Sequence, residues 1–151
     1  MQLVFERAEQ KDTSRVLAIQ NAAFYGDYQK YGHCPAYMEA EDVMRAEIAS
    51  GDRIAYIATI DGEDACDAII RDRRNGNYYI RVLAVIPKFQ NLHIGKSMLE
   101  FLKNQYPLAH SWELITPKDN LRNCRFYERN GFAKTGEKYE DERLTLNIYK
   151  M

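Results

Sequence analysis

The sequence has almost no net charge. Its 151 residues hold 21 Lys and Arg against 22 Asp and Glu, a formal net charge of −1 at pH 7. No strong field therefore favours nucleic acid or a membrane surface as a partner. Long apolar runs are missing too, since none approaches the roughly 20 residues of a membrane-crossing helix. Nothing near Met1 resembles a secretory signal, so a cytoplasmic protein is expected. Cysteine is scarce: Cys34, Cys66 and Cys124 are odd in number, far apart and without paired spacing. That pattern argues against a disulfide framework and a zinc site, and no metal is expected. There is no internal repeat, low-complexity tract or linker, so residues 1–151 read as one domain. What is abundant is apolar and aromatic: 46% of residues are hydrophobic and 11 are tyrosine, enough for a substantial core.

The most informative stretch runs from Tyr78 to Phe101. Tyr78 to Ile86 is an almost unbroken apolar and β-branched run, which predicts a strand buried on both faces. Pro87 ends its pairing. A short polar loop with one glycine follows, and Ile94, Met98, Leu99, Phe101 and Leu102 then mark an amphipathic helix to about Gln105. A strand that turns tightly into a helix points unpaired backbone N–H groups outward, at the positive end of the helix dipole. That is a ready anion site. Gly95-Lys96-Ser97 ends like a nucleotide-binding Walker A loop, but Gln90 stands where that motif needs its first glycine. Nucleotide hydrolysis is set aside on that ground.

Around this stretch the remaining elements follow from period and punctuation. Leu3–Arg7 is a short strand, and Asp12 or Thr13 caps a helix with Val16, Leu17, Ile19, Ala22 and Phe24, interrupted at Gly26. The aromatic segment Tyr25 to Tyr37 is expected as a connection, followed by a helix over 39–50. Residues 53–60 and 64–73 alternate as strands about the Asp61-Gly62 turn, and Asn75-Gly76 delivers the chain into the long strand. A strand over 112–116 and a helix over 120–129 come next. Strands over 132–139 and 144–149 then close the chain as a hairpin.

The element order β-α-α-β-β-β-α-β-α-β-β, with two motifs, resembles the GNAT N-acetyltransferase superfamily. Gln90, Ile94 and Gly95 fit its Gln/Arg-x-x-Gly-x-Gly/Ala pyrophosphate loop, with His93 in place of the first glycine. The run from Asn120 through Phe126-Tyr127 to Gly131-Phe132 is similar to its Asn-x-x-Ala-x-x-Phe-Tyr-x-x-x-Gly-Phe segment, with Asn123 replacing the small residue. The resemblance implies an α/β (α+β) GNAT fold, a mixed, mostly antiparallel sheet of about seven strands flanked by about four helices.

It also implies an acetyl-CoA-dependent N-acetyltransferase in which an amine attacks the thioester directly. Leu83 and Val85 would meet the pantetheine, and the loop Gln90, Asn91, Leu92, His93, Ile94 and Gly95 the pyrophosphate. Lys96, Ser97 and Asn120 are further candidates for cofactor contact. Tyr127 is expected as the general acid that protonates the departing thiolate, since its ordinary pKa of about 10 suits that exchange. Arg81 stands where many family members carry a glutamate base, which leaves His33 or a water relay for that role. Tyr28, Tyr31, His33 and Arg81 are expected to shape the acceptor pocket. The acceptor is then a small-molecule or peptide amine, and a homodimer is compatible with the family. From a different class, His93 and Arg81 also fit a catalytically inactive acyl-CoA-binding or sensing module.

Overall fold

The computed structural model describes residues 1–151. Its strands are β1 (Leu3–Arg7), β2 (Ile54–Ile60), β3 (Glu63–Asp72), β4 (Asn77–Val85), β5 (Ser111–Pro117), β6 (Ala133–Asp141) and β7 (Leu144–Lys150). The helices are α1 (Thr13–Tyr31), α2 (Glu41–Ser50), α3 (Ile94–Gln105) and α4 (Leu121–Arg129). All seven strands form one sheet in the order β1-β2-β3-β4-β5-β7-β6. Only β4 and β5 run parallel; every other neighbour is antiparallel.

Helices cover both faces of the sheet. On one face Met98, Leu99 and Leu102 of α3 and Tyr127 of α4 pack with Tyr56, Ile70 and Trp112. On the other, Val16 and Ile19 of α1 and Met44 and Ile48 of α2 pack with Ile57 and Ile69. Strand β4 serves both faces, giving Ile80 to the first and Val82 and Ala84 to the second. That double burial is what its unbroken apolar run predicts.

The first helix differs from expectation. It continues through Gly26 to Tyr31 and ends only at Gly32, whose φ of 80° supplies the left-handed cap. A helical glycine costs only about 1 kcal/mol against alanine, and nothing lies within 4 Å of where a side chain would begin. Burial of Val16, Ile19 and Gln20 against the sheet outweighs that cost. Tyr25, Tyr28 and Tyr31 are therefore helical residues and do not belong to a connection.

Two irregularities in β4 set up the site. Ile69 pairs with Val82 and Ile70 with Ile80, so Arg81 is an extra residue without a partner on β3. Such a bulge re-aims a side chain and increases local twist. On its other edge β4 pairs with β5 only at Asn77, Tyr78 and Tyr79, opposite Ser111, Trp112 and Glu113. Beyond that point the two strands part.

Beneath α1 and α2 lies a buried polar cluster. Glu39 accepts hydrogen bonds from Gln20 Nε2 (3.0 Å), Arg53 Nη1 (2.9 Å) and Arg81 Nη2 (3.0 Å). Asp67 on β3 is 0% exposed, and neither of its carboxylate oxygens has a partner. Burial, and then the Glu39 carboxylate, push the Asp67 pKa well above the usual range, so folding favours the protonated carboxyl. A carboxyl whose pKa rises on folding gives its full stabilisation below the unfolded value of about 3.9 and loses it as pH rises toward the folded value. Asp67→Asn removes the ionisable proton at nearly constant shape. It should therefore stabilise the protein at neutral pH by on the order of 1 kcal/mol or more, with the gain shrinking toward about pH 3. Denaturant unfolding across that range measures it, and an Asn variant weaker than wild type at neutral pH would contradict the assignment.

Candidate active site

Where β4 and β5 separate, a cleft of about 870 Å³ opens between β4, the heads of α3 and α4, and α1. A smaller pocket of about 310 Å³ lies beyond it, between α1, β4, β5 and the β6–β7 hairpin. Phe24, Asp27, Leu83, Asn123 and Tyr127 line both, so they mark where the two cavities meet.

The cleft mouth is the loop between β4 and α3. Asn91 and His93 adopt left-handed backbone with φ of 66° and 61°, and this twist leaves the chain's N–H groups unpaired. From Asn91 through Lys96, six successive backbone N–H groups donate to no protein acceptor; pairing resumes with Ser97, which donates to the His93 carbonyl at 3.0 Å. No side chain caps α3 either. The loop is held from outside by Arg122 of α4, which donates to Gln90 Oε1 at 2.9 Å and to Asn91 Oδ1 at 3.1 Å. Gln90 in turn donates to the Val85 carbonyl at 3.3 Å. Lys96, Arg122 and Arg129 line the cleft against one carboxylate, Asp27. Free N–H donors, a helix N-terminus and this excess of cations suit an anionic group such as a diphosphate.

Gly95 is needed for a reason that the sequence conceals. A side chain built there would begin 3.2 Å from Cζ of Phe126, so the glycine lets α3 approach α4. A bulky residue at 95 would displace Phe126 as well as stand in the path of a ligand at the loop.

Tyr127 stands at the junction of the cavities and is 8% exposed. Its ring packs edge-on against Phe126 (5.2 Å) and Phe132 (5.7 Å). Its hydroxyl makes no protein hydrogen bond, and burial, with smaller contributions from Cys66 and Cys124, pushes its pKa up. The phenol therefore stays protonated at neutral pH and has its proton free to give. Asn120 caps α4, its Oδ1 accepting from the Asn123 N–H at 3.1 Å, and it also lines the cleft.

The other expected residues divide. Leu83, Val85, Gln90, Asn91, His93, Ile94, Gly95 and Lys96 line the cleft. Leu92 and Ser97 do not: Leu92 is 44% exposed, and the Ser97 hydroxyl bonds back to the His93 carbonyl at 3.0 Å. Tyr31, His33 and Arg81 line the inner pocket. Tyr31 donates to Asp119 at 2.5 Å, Arg81 is tied to Glu39, and the His33 ring lies 3.9 Å from Asp141. Tyr28 lines neither cavity. It is 44% exposed and stacks on Tyr37 at 4.8 Å, because its place on α1 turns it away from the sheet. Two residues at the site went unnoticed in the sequence. Arg122 carried no pattern of its own, and Asp27 lay within a segment taken for a loop. A helical reading across Gly26 would have put Asp27 one turn from Phe24 and Tyr31.

Comparison with known proteins bears on this arrangement. Residues 51–134 match the description of the acetyltransferase (GNAT) domain. An uncharacterised protein of Bacillus subtilis (strain 168), YrkN, is 27% identical over 119 residues. That alignment takes in 78% of this chain and 62% of YrkN, less than two thirds of the relative's length. The ribosomal-protein-S18-alanine N-acetyltransferase of Escherichia coli superposes with a TM-score of 0.81 at 18% identity, over 99% of this chain and 93% of that one. An N-acetyltransferase from Staphylococcus aureus Mu50 gives 0.80 at 16% identity, over 100% and 98%. The PaiA N-acetyltransferase of Thermoplasma acidophilum, solved with coenzyme A, gives 0.70 at 14% identity, over 98% of each chain. At these identities the structural likeness is one of fold.

The left-handed backbone at residue 93 explains why the resembling motif has glycine there. A residue with a β-carbon pays about 1–2 kcal/mol in that conformation, and glycine's greater freedom when unfolded returns about 0.5–1 kcal/mol of that difference. His93→Gly should thus raise stability by up to about 1 kcal/mol. Thermal unfolding checks this. A clear fall in stability would mean that the imidazole makes a stabilising contact.

Proposed function

The chain belongs to the GNAT acetyltransferase family, and from that premise we propose that it is an acetyl-CoA-dependent N-acetyltransferase acting on an amine by direct attack. The observation that carries the reading is the run of six unpaired N–H groups at Asn91–Lys96, at the mouth of a cleft with Tyr127 at its inner end.

Acetyl-CoA supplies a thioester, an acyl group activated toward amines. The N–H groups of residues 91–96, with Lys96 and Arg122, would hold its diphosphate. The edge of β4 from Ile80 to Val85 has no strand beside it, so its backbone is available to an extended pantetheine arm. The amine enters from the inner pocket and meets the acyl carbon where the cavities join. Tyr127 then gives its proton to the departing sulfur as the carbon–sulfur bond breaks.

The two departures that favour a non-catalytic module have structural explanations. Arg81 is spent on Glu39, and His93 fills a left-handed position. No observation favours that second reading.

Two measurements test the proposal. Tyr127→Phe keeps the ring contacts and loses only the proton donor, so kcat should fall by roughly 10²-fold or more with acetyl-CoA affinity little changed. Full activity at saturating substrates would return Tyr127 to a packing role. Arg122→Met should weaken acetyl-CoA about tenfold or more, equivalent to about 1.4 kcal/mol, by releasing the loop and removing a cation. It should leave a phosphate-free acyl-pantetheine donor nearly unaffected. Equal losses for both donors would place the effect of Arg122 away from the phosphates.

A further inference from the structure

Asp27 is the only carboxylate on the wall shared by the cleft and the inner pocket, and its isolation is built into the fold. Its natural partners on α1 are Lys30 and Tyr31, three and four residues on. Both turn instead to Asp119, on the loop after β5: Lys30 Nζ lies 3.3 Å from that carboxylate, and the Tyr31 hydroxyl donates to it at 2.5 Å. Asp27 is left half-buried with neither a hydrogen bond nor an ion pair, while the other charges of the inner pocket are matched. Arg81 is held by Glu39 at 3.0 Å, Lys138 by Glu140 at 3.1 Å, and His33 faces Asp141 at 3.9 Å. A partly desolvated carboxylate without a cation is costly unless a ligand supplies one. The rest of the pocket wall is largely apolar, with Phe24, Ile80, Val82, Leu83, Leu114 and Leu146. Its 310 Å³ is at the small end of small-molecule sites.

We infer that Asp27 binds the acceptor's ammonium group and serves as its general base, and that the acceptor is a small primary amine with an apolar body and no carboxylate. The inference rests on the acetyltransferase reading above. The amine arrives as R–NH₃⁺ and gives one proton to Asp27. Its nitrogen then forms a bond to the thioester carbon, and the carbon–sulfur bond breaks. As Tyr127 delivers its proton to the sulfur, the nitrogen's second proton passes to the Tyr127 oxygen and restores the phenol. The products are the amide, the free thiol and a protonated Asp27, which returns its proton to solvent. Burial raises the Asp27 carboxyl, Lys30 opposes that rise and Asp119 adds to it. Burial disfavours the charged forms of both Asp27 and a bound ammonium, which favours proton transfer between them, while their mutual attraction holds the ammonium in place until it transfers. The groups that face Asp27 are Lys30 and Tyr31 on α1, His33 and Cys34 after it, Asp119 after β5, and Tyr127 on α4.

The experiment uses the full chain with phenethylamine and phenylalanine as probes, which differ by one carboxylate. Acetyl-CoA binding, phenethylamine binding and thiol release are measured for wild type, Asp27→Asn and Asp27→Glu. Wild type should prefer phenethylamine by at least about tenfold in kcat/KM, since a second anion beside Asp27 is repelled. Asp27→Asn should bind acetyl-CoA normally, bind phenethylamine at least about tenfold more weakly, and lose about 10²-fold or more in kcat/KM. Its rate should then rise with pH only as the amine itself deprotonates, near about pH 10, whereas the wild-type rise comes earlier. Asp27→Glu should recover part of the activity. If Asp27→Asn keeps amine binding and rate within a few-fold, or wild type prefers phenylalanine, the assignment falls while the acetyltransferase reading stands. If wild type does not bind acetyl-CoA, both fall.

Discussion

Everything at the site depends on β4 and β5 pairing for only three residues. A parallel pair continued to Val85 would have closed the sheet and left no cleft. What parts the strands is local: the bulge at Arg81 twists β4 two residues beyond its last pair with β5. The parting exposes one strand edge, and the turn after it exposes six N–H groups. In a chain without a ligand each of these would be a liability to be hydrated. The fold concentrates them in one place instead, where a single extended anionic molecule would satisfy them together.

The halves of the cleft are held by side chains as much as by backbone. Arg122 fastens the head of α4 to the loop before α3, and Tyr31 fastens the end of α1 to the loop after β5. Between them they fix the positions of the three walls that meet at Tyr127. The buried cluster of Gln20, Glu39, Arg53 and Arg81 does the same for α1, α2 and β4. It also uses the one cation of β4 as a structural brace.

Much of the fold was legible in the sequence because it is written in local pattern. The apolar run of β4, the amphipathic spacing of α3 and the Asp61-Gly62 and Asn75-Gly76 turns each fixed an element, and their order fixed the topology. The strand-loop-helix turn was legible for the same reason, whereas Tyr127 was picked out through the resemblance of its segment to the family's. What escaped depended on distant contacts. Gly26 looked like a break because sequence alone shows its cost and not the burial that outweighs it, and that error hid Asp27. Arg122 could not be read because its partners lie about thirty positions earlier in the chain. The packing role of Gly95 could not be read, since Phe126 becomes its neighbour only when α3 and α4 meet.

The narrow join between β4 and β5 has one more consequence. The three paired residues of β5 include the chain's single tryptophan, Trp112, which stacks on Tyr78 across the join at 5.0 Å and meets Tyr106 edge-on at 6.0 Å. Any event that pries the meander of β1–β4 away from β5–β7 must break that stack first, because there is no other ladder between them. The indole is therefore an intrinsic optical gauge of that join. Its fluorescence would report the docking of the two half-sheets, with no label attached, a few residues from the cleft.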